Sequence, residues 1–189
     1  MDADRGGKLR QESFVRTTKM LCVCLVGCGA ALGTVRAIAQ ADADKMFLMK
    51  ASQTDLAEIK QSQLALDKTT NPHVKAFAQK MISDHNVLEL NMKPFADKNG
   101  VMPVTALGPE HQAEYDKLKG LSGADFDKEY IRSMDMDHHM ALAAFDTELE
   151  ATQDPDLKKT VLNGKKVITA HTKMADKLAT KLGVSIVGT

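Results

Sequence analysis

With 189 residues, 43% of them hydrophobic and 26% charged, the chain is long enough for one domain with a real core and a polar surface. Its 25 Lys and Arg balance 25 Asp and Glu, which excludes the basic footprint of a nucleic-acid binder. Tryptophan is absent, aromatics are 4%, and Ala, Leu, Lys, Met and Asp are common, a composition that favours helix.

The first forty residues differ from the rest. Arg10, Arg16 and Lys19 precede the apolar run MLCVCLVGCGAALG at 20–33, and small residues follow in RAIAQA at 36–41. Charged, apolar, then small is the order of a secretory signal peptide, with cleavage expected after Ala39 or Ala41. A retained membrane anchor is the competing reading, but a run of roughly 14 residues is short of the about 20 that a span needs. LVGC at 25–28 resembles a lipobox ending in Cys28, against which stand Arg36 and the second cleavage motif downstream. The expectation is a leader at 1–39 and a mature domain at 40–189, in the periplasm or associated with the outer membrane. Cys22, Cys24 and Cys28 all lie in that leader, so the mature chain has no disulfide or thiol chemistry. Removing the leader's six basic and three acidic residues leaves 19 basic against 22 acidic ones, a mildly acidic body.

The rest reads as all-α. A first helix is expected from about Asp42 to Leu66, capped by Asp42 or Asp44 and ended by TTNP at 69–72. A second opens with Asn71 as cap and Pro72 at its first position. Its stripe runs Val74, Ala78, Met81, His85, Leu88, Met92, Phe95, and Asn99-Gly100 closes it. Pro94 inside the run is expected to kink or shorten it. Residues 100–124, punctuated by Pro103, Gly108-Pro109, Gly120 and Gly123, form a long connection with a short helix at 110–118. A third long helix starts near Asp125, with Tyr130, Met134, His138, Ala141, Phe145 and Leu149 on one stripe. After Asp154-Pro155 a fourth runs to Leu182, with Leu157, Val161, Gly164, Ile168, His171, Ala175, Leu178 and Leu182 inward. Short, long, short connections point to a ferritin-like four-helix bundle, the long connection crossing between helices two and three. Plain up-down-up-down topology is the alternative.

Three of the six histidines, His85, His138 and His171, occupy stripe positions near the middle of three different helices. The first helix brings Glu58 on the face Phe47, Ala51, Thr54, Glu58, Gln61, Ala65. One polar layer is therefore expected across the bundle. Imidazole and carboxylate donors converging from facing helices suit iron, zinc, manganese or copper. Asp84, Glu89 and Asp135, within a turn of the rings, are alternate or supporting ligands. The competing reading is a metal-free network of the same rings with Glu58, Asp84 and Tyr130 that fixes packing in an envelope structural or stress-related protein. A di-metal oxidase is weaker, since it needs two Glu-x-x-His pairs and only Asp135-x-x-His138 approaches one. Met81, Met134 and Met174 beside the rings favour copper(I) as thioethers, or simply fill the core. His139, rotated about 100° from His138, is expected nearer solvent. His73 and His111 read as surface residues. No phosphate loop, nucleophile elbow or H-E-x-x-H is present, so no reaction is assigned.

The segments FLMKASQTDLAEI (47–59), VKAFAQKMISDHNVLELNMKPFADKNGV (74–101), DFDKEYIRSMDMDHHMAL (125–142) and ITAHTKMADKL (168–178) resemble domain of unknown function 4142. That is a bacterial family of exported ferritin-like bundles, often labelled a predicted outer membrane protein. The resemblance implies the bundle and an extracytoplasmic address but no activity or partner beyond the envelope. Position by position it carries over Glu58, Asp84, His85, Asp127, Tyr130, His138 and His171 as recurrent polar residues. NGKKV at 163–167 departs from it, where relatives tend to have a leucine-proline step. HHMAL also resembles, locally, a second exported family with a histidine pair and suspected copper links.

Overall fold

The structure, a computed structural model, describes the backbone of residues 28–185 and the side chains of 40–185. Residues 1–27, with most of the expected leader, and the end of the VSIVGT tail at 186–189 lie outside the described residues. Five helices follow in order: α1 (Cys28–Lys68), α2 (Pro72–Lys98), α3 (Pro109–Gly120), α4 (Gly123–Ala151) and α5 (Pro155–Leu182). Among the described residues there is no strand, and no helix is long and apolar enough to cross a membrane.

Local chemistry explains most boundaries. Asn71 accepts a hydrogen bond from the His73 amide at 3.0 Å, with Pro72 at the first helical position of α2. Asp154 does the same for α5, accepting from Asp156 and Leu157 at 3.0 and 3.1 Å ahead of the helix that Pro155 opens. Gly183 ends α5 with φ 67°, a left-handed conformation that costs glycine nothing. Two expectations are corrected. α1 does not begin at Asp42, because the alanine-rich, proline-free stretch before it continues the helix back to Cys28. Asp44 is therefore no cap; it is buried in mid-helix, accepting from Gln40 Nε2 at 2.7 Å and Thr152 Oγ1 at 3.4 Å. Nor does Pro94 shorten α2, which continues to Lys98. Pro94 and Leu90, whose carbonyl loses its donor, are both exposed, so water can replace the missing N–H.

Pairings along the helices give the topology. Asp44 meets Thr152, Phe47 meets Phe145 and Ser62 meets Tyr130, so α1 and α4 are antiparallel. Asp84 meets His171 while Leu88 and Met92 flank Gly164, so α2 and α5 are antiparallel too. With α1 against α2 and α4 against α5, the helices α2 and α4 point the same way across the diagonal. That requires the chain to travel back along the bundle after α2. Residues 99–122 do so, with α3 lying against α1 and α4 and tied by Lys68 Nζ donating to the Lys119 and Leu121 carbonyls, each at 2.6 Å. This is the ferritin-like arrangement, and it excludes up-down-up-down order.

The core is divided. One apolar cluster gathers Phe77, Met81, Phe126, Tyr130, Met134 and Leu178 at one end. The other gathers Leu48, Leu88, Met92, Phe145, Leu157 and Ile168. Between them lies a layer of buried Glu58, His85, His138 and His171. In the second cluster a Cβ on Gly164 would lie 2.7 Å from Phe145 Cε1, with Leu88 and Met92 at 3.4 and 3.5 Å. The close approach of α5 thus needs glycine at this departure from the family pattern. Gly164→Ala is expected to destabilise by about 1 kcal/mol net, overpacking of about 1–3 kcal/mol opposed by up to about 1 kcal/mol of helix propensity. The shift of the urea midpoint reads it.

Candidate metal centre

Each of the four expected residues arrives from a different long helix, and the structure brings them together. Ring centroids of His85, His138 and His171 lie 5.2–5.7 Å apart. One nitrogen from each ring falls within 4.8 Å of the other two. Glu58 Oε2 lies 2.7 Å from His85 Nε2 and 3.5 Å from His138 Nε2.

Outer contacts fix which nitrogens face inward. His138 Nδ1 is 2.7 Å from the Met134 carbonyl, which can only accept, so Nδ1 carries the proton and the lone pair sits on Nε2. His171 Nε2 is 2.8 Å from Asp84, itself ion-paired to Lys80 at 2.8 Å, so its lone pair sits on Nδ1. These two lone-pair nitrogens face each other at 3.2 Å. His85 Nδ1 is held by Asp55 at 2.7 Å, which turns Nε2 toward Glu58. Both Glu58 oxygens and His85 Nε2 are buried without a partner in hydrogen-bonding geometry.

The electrostatics follow. Burial disfavours the Glu58 carboxylate, but the neighbouring imidazoles of His138 and His85 outweigh it and hold the group down at about 2. Burial likewise opposes protonated His85, yet Glu58 and Asp55 drive it up to about 10. The other two rings go the opposite way: burial lowers His138, and it lowers His171 to about 4. Asp55 is raised by its burial.

Not every expected residue joins. Glu89 is exposed on α2, because the step of four from His85 carries it past the buried arc. Asp135 is buried but lies beside His139 and Asp176, since it stands a turn before His139 rather than His138. The Asp135-x-x-His138 pair is thereby split. Tyr130 bonds Ser62 at 2.8 Å inside the apolar cluster and does not join the rings, and Met81 and Met134 pack there too. His73 is exposed as expected and His139 half-buried. His111 is not a plain surface residue: α3 folds it over the bundle beside Glu114.

The sequence reading missed Asp55 and a cleft. The cleft, about 450 Å³, opens between α1 and α4 beneath the start of α3, and its floor reaches Glu58 and His85. Small side chains at Ala51, Ala141 and Ala144 leave the space, and buried Asp137 and Glu148 border it. Burial, then the charges of Glu58 and Glu114, raise Asp137 to about 8. Burial, then Asp44, raise Glu148 to about 7. A carboxyl raised in the folded state loses stability as pH climbs from its unfolded value, about 4.5, toward 7. Glu148→Gln is therefore expected to match the wild type near pH 4 and to exceed it by about 2 kcal/mol above pH 7. Urea unfolding across that range measures the difference.

No curated protein matches the chain. Among the solved structures that share the fold are these three. A DUF305 fragment from Deinococcus radiodurans is 17% identical with a TM-score of 0.64, over 75% of this chain and 95% of that one. A DUF305 protein of Streptomyces coelicolor described as secreted is 16% identical with a TM-score of 0.66, over 78% and 96%. CopM in its silver-bound form is 23% identical with a TM-score of 0.61, over 73% and 96%. The family profile of Domain of unknown function (DUF4142) matches residues 30–178, in which every residue of the polar layer falls. The chain belongs to the DUF4142 family.

Proposed function

We propose that this chain is an exported metal-binding bundle that holds one divalent transition ion through His85, His138 and His171, with Glu58 as fourth ligand. The observation that carries it is the pair of lone-pair nitrogens, His138 Nε2 and His171 Nδ1, facing each other at 3.2 Å. Two acceptors at that distance repel unless a cation lies between them. Four ligands about 2.0–2.1 Å from a tetrahedral ion stand about 3.3 Å apart. The 3.2 Å between the two nitrogens and the 3.5 Å from His138 Nε2 to Glu58 fit that spacing. Nitrogen and oxygen donors suit zinc, iron, manganese or copper(II). Asp84, Asp55 and the Met134 carbonyl would orient the rings from outside. The silver-bound form of CopM, a bundle of the same fold, is in keeping with this. The leader-like order of residues 1–39 and the secreted DUF305 protein support an extracytoplasmic address.

A metal-free network is the second reading, and one observation favours it: protonated His85 is already neutralised between Asp55 and Glu58. A metal must displace that proton. An oxidase has less support, because Asp135 groups with His139 and Asp176, and of the carboxylates on the three rings only Glu58 lies on their inward side.

Metal content after chelation and reconstitution with zinc, iron, manganese and copper separates the readings. The metal reading expects an equivalent of ion that disappears in His138→Leu with His171→Leu. If no ion is retained at this set, the network reading stands.

A further inference from the structure

We propose a second cation site on the α4–α5 seam, formed by Asp135, His139 and Asp176 and sharing no ligand with the inner set. One donor atom from each lies within 4.8 Å of the others. His139 Nε2 is 3.4 Å from Asp176 Oδ1 and 3.9 Å from Asp135 Oδ1. Both separations exceed an N–H···O hydrogen bond of about 2.7–3.2 Å. They approach the spacing of about 2.9–3.6 Å between neighbouring ligands of an ion with bonds of about 2.0–2.2 Å. His139 Nε2 and Asp176 Oδ1 are, moreover, buried atoms with no hydrogen-bond partner. His139 and Asp176 are spaced as ligands are, and Asp135 lies within reach of the same point.

The backbone supports the same assignment. Asp135 and His139 stand four residues apart on α4 and so share a face, and α5 supplies Asp176 from across the seam. Two rigid helices therefore hold the three donors without a loop. Asp135 is 1% exposed, while the His139 and Asp176 side chains are 34% and 35% exposed. Water can complete the shell from the open side, so this ion exchanges with solvent. Two carboxylates and one imidazole neutralise a divalent ion and suit zinc, manganese or iron(II); they lack the sulfur that copper(I) or silver prefers. The chain would thus carry a closed ion in its core and an open one on its flank, both anchored by the adjacent residues His138 and His139.

Zinc titration of chelator-treated protein by calorimetry, with metal content measured in parallel, tests this. The wild type is expected to take two equivalents. His139→Gln with Asp176→Asn is expected to lose one, and because both side chains are partly exposed the fold should survive. His138→Leu with His171→Leu is expected to keep the outer equivalent, which disappears when the outer pair is also replaced. A wild-type stoichiometry unchanged by the outer pair overturns the proposal. If the leucine variant fails to fold, the outer pair in the otherwise native chain gives the same reading. Failure of the inner site instead leaves one equivalent in the wild type, lost with the outer pair.

Discussion

Glu58→Leu in chelator-treated protein is expected to lower the unfolding free energy by about 3 kcal/mol, the loss typical of removing one partner from a buried ion pair. Leucine nearly matches the volume of glutamate, so little of the effect comes from a cavity. It comes from His85. That ring lies 1% exposed between Asp55 and Glu58, and its charge is stabilised by both. Without Glu58, a buried imidazolium keeps only Asp55, whose own carboxylate is opposed by burial. Glu58→Gln should be milder, because an amide keeps a polar oxygen against the His85 ring. With a urea slope of about 1–3 kcal/mol per molar, the midpoint should fall by about 1–3 M at unchanged slope. A loss below about 1 kcal/mol would mean that His85 is neutral in the native protein and that the layer is held by packing alone.

This sensitivity explains what the sequence could and could not disclose. The stripe positions His85 and His171 were legible because α2 and α5 each bury one narrow face at the expected period, and His138 because the wider buried arc of α4 still contains the stripe Tyr130, Met134, His138. Their meeting at one level followed from lying near mid-helix, a position that does not depend on helix direction. The crossover was legible from its length, since only a connection that runs back along the bundle lets α2 and α4 lie parallel. Asp55 was not, because α1 has no single stripe. It packs against α2, α3 and α4, so Asp55, Ala57, Glu58, Ile59, Gln61 and Ser62 are all buried. A spacing of three to Glu58 was the available signal: it puts both carboxylates on adjoining sides of one turn. Asp135 went astray for a related reason. A carboxylate three before one histidine and four before the next is equally near both in sequence, and only the position of α5, which brings Asp176, decides between them. The cleft was illegible in principle. It depends on how far α1 and α4 splay around three alanines and on where α3 comes to rest, neither of which a residue pattern encodes.

Saturating zinc is expected to raise the thermal midpoint of the wild type by roughly 10 °C. Ligand that binds only the native state, at about a thousand times its dissociation constant, contributes about 4 kcal/mol. For a chain of this size each kcal/mol moves the midpoint by about 2–4 °C. His138→Leu should abolish most of the rise while leaving the metal-free midpoint close to the wild-type value. Its ring is neutral in the metal-free state, leucine fills a similar volume, and the Met134 carbonyl that it leaves keeps its place in the backbone of α4. The pairing of these outcomes is what separates the two readings of the layer. If the three rings and Glu58 serve only to fix the packing, His138→Leu removes an interaction from a finished network and zinc shifts both proteins by the same amount, through the outer set alone. If they are ligands, the metal-free protein keeps two lone pairs opposed at 3.2 Å, and only the cation relieves them. Differential scanning calorimetry with and without zinc, on both proteins, reads the difference directly.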